Sequence, residues 1–122
     1  MSAKHCLASL IWQASDDDIS AGKYEPSDEL IREMDKQWFQ FKTRCELICL
    51  DPEVAFVGPL PSDNDGDYWN QVAHDFIMTR NGHGCGFWDG DWAEPWATIL
   101  TDLSHEFGEI AVYVGDDNLL YC

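Results

Sequence analysis

The sequence predicts an α+β fold, a small single domain over residues 1–122 with antiparallel β-hairpins packed against two amphipathic helices. Three observations carry this prediction. Apolar residues recur at helical spacing from Leu30 to Ile48, and again from Trp96 to Phe107. Short apolar runs flank the turn formers Asn81-Gly82 and Gly115–Asn118, as in hairpins. Helices and hairpins segregated in this way imply an antiparallel sheet. A chain of 122 residues can bury a core without disulfides or metal, which become necessary only below roughly 40 residues.

The elements follow in order. Cys6-Leu7-Ala8-Ser9-Leu10-Ile11-Trp12 is apolar and short, and its pattern fits a strand or a buried helical turn equally. Asp16-Asp17-Asp18 closes it in a loop. Ser27 is an N-cap signal, and Asp28 and Glu29 suit the positive end of a helix dipole. Leu30, Ile31, Met34, Trp38, Phe41, Cys45 and Ile48 then form one helical stripe, ended at Asp51-Pro52. Residues 51–71 read as loop. Phe76–Arg80 and His83–Trp88 flank Asn81-Gly82, the strongest two-residue signal for a hairpin turn. In that hairpin Arg80 pairs with His83, and Gly84 and Gly86 leave one face open to close approach by another element. Asp91–Glu94 and Pro95 open the second helix, with Trp96, Ile99, Leu100, Leu103 and Phe107 as its stripe and Gly108 as its C-cap. Ile110–Val114 and Leu119–Cys122 form the last hairpin.

Charge limits the function. The chain has 23 Asp and Glu against 7 Lys and Arg, a formal charge of −16. Residues 1–44 hold 8 acids and 6 bases, whereas residues 45–122 hold 15 acids and Arg80 alone, a net of −14. Such a chain does not bind nucleic-acid phosphates by counterion release, and anionic membranes repel it. At 45% hydrophobic and 13% aromatic it is nevertheless too apolar for a disordered acidic tail. The five cysteines (Cys6, Cys45, Cys49, Cys85 and Cys122) are odd in number and follow neither a disulfide nor a zinc spacing. With no secretory signal and no apolar run near the roughly 18 residues of a membrane span, a cytoplasmic location with free thiols is expected.

Several constellations invite chemistry. Asp63, Asp65 and Asp67 occupy the first three ligand positions of a calcium loop, but Tyr68 and His74 stand where glycine and the closing glutamate belong. A solvated turn is the better reading. His74, His83 and Cys85 resemble a metal set, yet the hairpin register puts the two histidines roughly 20 Å apart. Cys85 beside His83 lacks a cation to lower its pKa. Asp75, Asp89 and Asp91 with His83 or His105 could hydrolyse a substrate only with a divalent ion. Arg80 is expected to make a bidentate pair with a carboxylate. Cys45 and Cys49 read as core, as do most of the six tryptophans, with one or two of Trp88, Trp92 and Trp96 exposed as contact anchors. No catalytic residue, cofactor or metal is expected.

The segments His74-Asp75-Phe76, Thr79-Arg80-Asn81, His83-Gly84 and Gly86-Phe87-Trp88-Asp89 resemble the signature of a family of small proteins of tailed phages and prophages. Val112–Asp117 through Leu120-Tyr121 is similar to that family's ending. Leu10-Ile11-Trp12, the Asp16–Asp18 loop and the helix with Phe41 are similar to its N-terminal part. The sequence departs from the pattern at Ile77-Met78. The resemblance implies phage origin and no particular activity. Joined to the charge, it leads to a phage-encoded acidic protein that inhibits a host defence complex, of anti-CRISPR or antirestriction type, by mimicking nucleic-acid charge. The expected partner is a defence protein with a basic nucleic-acid-binding surface, met in the host cytoplasm, with no direct nucleic-acid or membrane contact. The candidate contact residues are Asp63, Asp65, Asp67, Asp89, Asp91, Glu94, Asp116 and Asp117, and Arg80, Asn81, Gly82 and His83 are assigned to the hairpin itself. The alternatives are a phage accessory domain that binds another phage protein through its Gly84/Gly86 face, and a metal-dependent hydrolase or nuclease.

Overall fold

The computed structural model describes residues 2–60, 66–82 and 86–122. Among these, the chain runs α1 (Ser2–Trp12), α2 (Asp17–Ser20), β1 (Glu25–Pro26), α3 (Asp28–Leu47), α4 (Pro52–Ala55), α5 (Tyr68–Arg80), α6 (Trp96–Glu106), β2 (Tyr113–Val114) and β3 (Leu119–Tyr121). The predicted architecture of antiparallel hairpins on two helices is therefore corrected. Helices dominate, and the strands form one small mixed sheet in the order β1-β3-β2. β1 runs parallel to β3, and β2 runs antiparallel to it with Tyr113 opposite Tyr121. Of the two expected hairpins, only the C-terminal one is present.

The helix from Ser27 forms as its sequence dictates. The Ser27 hydroxyl accepts the Leu30 N–H at 3.0 Å, and Leu30, Met34, Trp38, Phe41 and Cys45 are buried. Ile31 and Ile48, read as part of this stripe, lie at its margins and are exposed. Cys49 also departs from its predicted core position. It follows the helix at φ 59° and is exposed, while Cys45 is fully buried. The ambiguous N-terminal segment is helical, and the Asp16–Asp18 loop contains a short helix whose N-cap, Asp16, accepts from Asp18 and Ile19 N–H.

The central hairpin is replaced by α5, for an identifiable reason. Gln71, Val72, Ala73, Asp75, Phe76, Ile77, Met78, Thr79 and Arg80 are all buried, so polar and apolar residues alike face the interior and no solvent-facing stripe marks a 3.6-residue period. α1 and α3 enclose the helical core together with α6, and the rings meet closely there. Phe41 stacks on Phe76 with centroids 4.0 Å apart, and Phe107 meets Phe76 edge-on at 5.1 Å. Asn81-Gly82 is real punctuation of a different kind. Asn81 caps α5, and Gly82 follows at φ 63°, the left-handed conformation that ends many helices. The Asn81 amide then pairs with Ile110 as a second backbone would, donating to its carbonyl at 2.7 Å and accepting its N–H at 2.8 Å. The close approach expected at Gly86 is made to α5. A Cβ there would stand 2.5 Å from Thr79 Oγ1, which accepts the Phe87 N–H at 3.0 Å.

Arg80 is the largest correction within the core. It is 5% exposed and forms no ion pair among the described residues, contrary to the expected carboxylate partner. Its Nε donates to Gly108 O at 2.8 Å, Nη1 to Gln37 Oε1 at 2.7 Å and Nη2 to Phe107 O at 3.2 Å. The guanidinium also lies 5.1 Å from the Phe76 ring centroid and 5.7 Å from that of Phe107. Carbonyls left over at the C-terminus of α6 thus receive a fixed positive charge, which suits that end of the helix dipole. Arg80→Met should destabilise the protein by about 3 kcal/mol or more, since three acceptors lose a charged donor in a buried site. Urea denaturation of the two proteins checks this.

Candidate functional site

Among the described residues one acid, Asp75, is buried, Glu33 is half-buried and the others are exposed. Asp75 is 3% exposed in the middle of α5. Its Oδ2 accepts from Trp92 Nε1 at 2.7 Å and from Gln71 Nε2 at 3.0 Å. Burial pushes the carboxyl up to about 6, the two hydrogen bonds opposing that shift and the charges of Asp89 and Asp91 adding to it. The bond to Trp92 anchors the segment between α5 and α6, whose backbone also engages the end of α4. Val57 N–H donates to Asp91 O at 2.7 Å and Ala93 N–H to Ala55 O at 2.8 Å.

The candidate contact residues fall in different places. Asp63, Asp65 and His83 lie outside the described residues, as do Gly84 and Cys85. The calcium-loop, His83 metal and Cys85 nucleophile readings lie there with them. Asp67, Asp89, Asp91, Glu94, Asp116 and Asp117 are all exposed. Asp89, Asp91 and Glu94 stand together on the α5–α6 segment beside Trp88, which is 52% exposed. Asp67 instead lines a shallow depression with Asp51 and Glu53 at the start of α4. Phe56 joins these two regions, its ring 5.1 Å from Trp92 and 6.1 Å from Tyr68. Asp116 and Asp117 belong to the β2–β3 turn.

Four of these carboxylates are held in place by local bonds. Asp67 accepts the Trp69 N–H at 2.9 Å and so caps α5. Asp89 accepts from Gly86 N–H at 3.3 Å and Asp91 N–H at 3.4 Å. Glu94 caps α6 through Thr98, taking both its N–H and its hydroxyl at 2.9 Å. Asp117 accepts from Leu119 N–H at 3.1 Å and Tyr121 O–H at 2.6 Å, bonds that hold its carboxyl below the usual range. Asp91 is shifted the other way, by partial burial and by the charge of Asp89.

Arg80, Asn81 and Gly82, assigned to a hairpin, instead end α5 and tie it to the segment after α6. The carboxylate trio weighed for hydrolysis is split, with Asp75 in the core and Asp89 and Asp91 in solvent. Among the described residues no three His, Cys, Asp or Glu side chains are grouped to hold a metal ion. Sequence reading missed a pair between α1 and α5: Ser9 Oγ and His74 Nδ1 share a 2.7 Å hydrogen bond, with the Trp12 ring 6.3 Å from the imidazole. The buried Cys45 thiol is pushed up to about 12 chiefly by desolvation, and Cys6, which donates to Ala73 O, is raised further for the same reason. Neither is a nucleophile at neutral pH. No helix among the described residues is long and apolar enough to cross a membrane.

Comparison of the chain with protein-family models, with curated proteins and with solved structures finds no significant match.

Asp75 makes stability depend on pH with a definite sign. Its carboxyl binds a proton more tightly in the folded chain than the ordinary 3.8, so this contribution is fully present below about 4 and lost as pH rises through about 6. Asp75→Asn keeps an oxygen for Trp92 and Gln71 without the charge. The stability of the wild type relative to this variant should fall by about 2 kcal/mol between pH 4 and 7. Denaturant titrations across that range measure the difference.

Proposed function

We propose that this protein is an acidic binding protein that occupies a basic nucleic-acid-binding surface of a partner protein and so excludes DNA or RNA from it. The supporting observation is that four exposed carboxylates, on Asp67, Asp89, Glu94 and Asp117, are each fixed by hydrogen bonds to the protein's own backbone. Free acidic side chains lose rotamer freedom when a partner fixes them, whereas carboxylates already held by caps and turns lose less. A nucleic-acid surface likewise presents negative charge at set positions. The net −14 on residues 45–122 adds steering, which raises association rates with a basic partner and makes them salt-sensitive. Trp88, exposed beside Asp89, supplies an aromatic anchor of the type enriched at binding hot spots.

The resemblance to tailed-phage proteins supports a narrower form of this reading. A phage product with such a surface would meet its basic partner in the host cytoplasm, as an inhibitor of a defence complex of the anti-CRISPR or antirestriction type. The test is affinity purification of the tagged protein from cells that carry such defence systems. A nucleic-acid-binding protein should co-purify at low salt and be displaced by duplex DNA. The triple variant Asp89→Asn, Asp91→Asn, Glu94→Gln should bind that protein about tenfold more weakly, since each exposed charge pair contributes up to about 1 kcal/mol. Recovery of no nucleic-acid-binding protein, or undiminished binding by the triple variant, contradicts the proposal.

A further inference from the structure

The two edges of the sheet are built differently. The β1 edge carries Pro26, whose missing N–H blunts it as a template for further pairing. The β2 edge has no such guard, since Glu109-Ile110-Ala111-Val112-Tyr113-Val114 holds neither proline nor lysine. Ile110 is buried, Val112 and Val114 are half-buried, and Ala111 and Tyr113 are exposed, the alternation of an extended chain with one face on the core. Tyr113 pairs with Tyr121, and Gly115 N–H donates to Leu119 O at 2.8 Å, so both spend backbone groups on β3. By the alternation of an antiparallel ladder, the backbone groups of Ile110, Val112 and Val114 point the other way.

Asn81 shows what this edge takes. Its side-chain amide exchanges two hydrogen bonds with Ile110, as a paired strand residue does. Val112 and Val114 come next in the same row, and among the described residues no backbone or side-chain group answers them on that side. Gln13, Ala14, Asp16 and Ile19, from the end of α1 through α2, line an open groove of about 250 Å³ with Ile110 and Val112. That volume lies below the roughly 300 Å³ at which pockets for drug-sized ligands begin. A short length of extended backbone suits it better, held by main-chain bonds as in strand addition.

Charge selects the occupant. Glu109 and Asp16 line the groove, and Asp116 stands beyond Val114 in the β2–β3 turn. Among the described residues no lysine or arginine lines it. Lys23 is paired with Asp18, and Arg80 is buried with its donors on Gly108, Phe107 and Gln37. Two β2 edges paired antiparallel would set one acidic end against the other, which disfavours a second copy of this chain. We propose that the backbone of Val112 and Val114 receives an extended segment of a partner protein as a fourth strand, with lysine or arginine of that segment beside Glu109 and Asp116. The site shares no residue with the triple variant described above, so either proposal can fail alone.

Nuclear magnetic resonance of the intact, ¹⁵N-labelled chain tests this with the peptide acetyl-Arg-Val-Thr-Val-Arg-amide. Backbone pairing asks little of the central side chains, so a simple sequence serves as the probe. Titrated to about 1 mM, which reaches weak contacts, it should shift the amide signals of Val112 and Val114 and slow their exchange with solvent. The same peptide N-methylated at its three central residues keeps its charge but loses donors, and should bind about tenfold more weakly. Replacing both arginines of the peptide by glutamate should weaken binding at least as much. The variant Glu109→Gln, Asp116→Asn, with circular dichroism unchanged, should bind the basic peptide about fivefold more weakly. Absence of shifts at Val112 and Val114, or equal binding of the methylated or the acidic peptide, overturns the proposal.

Discussion

A guanidinium buried without a carboxylate must find other acceptors, and Arg80 finds them on two helices at once. Gly108 O and Phe107 O lie at the end of α6, and Gln37 Oε1 lies on α3. Two bonds run from α5 to the end of α6 and one to α3, so one side chain ties three helices together. Burial lowers the pKa of the guanidinium from its ordinary value, yet arginine keeps its charge under any ordinary condition. The Phe76 and Phe107 rings lie against it and exclude water from the bonds. Because uncharged carbonyl oxygens satisfy this cation's donors, none of the acids is required in the core on its account, and the charge excess is free to remain outside.

That separation links fold to function. A helix enclosed on every side demands that its polar groups be satisfied from within, which Asp75, Thr79 and Arg80 each achieve through elements distant in sequence. The elements around α5 turn their polar sides outward. Their caps and turns are mostly acidic: Asp16, Asp51, Asp67, Glu94 and Asp117 all accept backbone N–H groups. Much of the negative surface is therefore also the punctuation of the fold. These charges stabilise the local structure and hold fixed positions in solvent as a consequence. A recognition surface made of such residues needs little ordering on binding.

The sequence made some of this legible and concealed the rest for physical reasons. Helix α3 was readable because one face is apolar and the other polar, with Ser27 marking the start. The stripe of α6 and the C-terminal hairpin were readable by the same logic of period and turn. Helix α5 was hidden because its polar residues, Gln71, Asp75 and Thr79 among them, are buried with the apolar ones and so break the contrast that sets a period, and Asn-Gly serves a helix end as well as a hairpin turn. Asp67 as an N-cap was the signal that could have revealed it. The pairing of β1 with β3 joins segments some 90 residues apart, with two or three residues in each strand, which no local pattern encodes. Exposed acids were foreseeable from composition alone. Their fixation, the burial of Asp75 and the carbonyl partners of Arg80 are tertiary facts, since each depends on a partner that sequence spacing does not bring near.

Everything in this account depends on α5 being the enclosed axis of the molecule, and native-state hydrogen exchange measures that directly. Amides from Val72 to Arg80 should exchange only through global unfolding, with free energies of opening equal to the stability found by denaturant and higher than those at the ends of α3 and α6. Exchange of these amides by local opening, faster than in the exposed turns of α3, would contradict the account. It would mean that the segment is not enclosed, and that neither the Arg80 bonds nor the fixed carboxylates around it rest on a rigid frame.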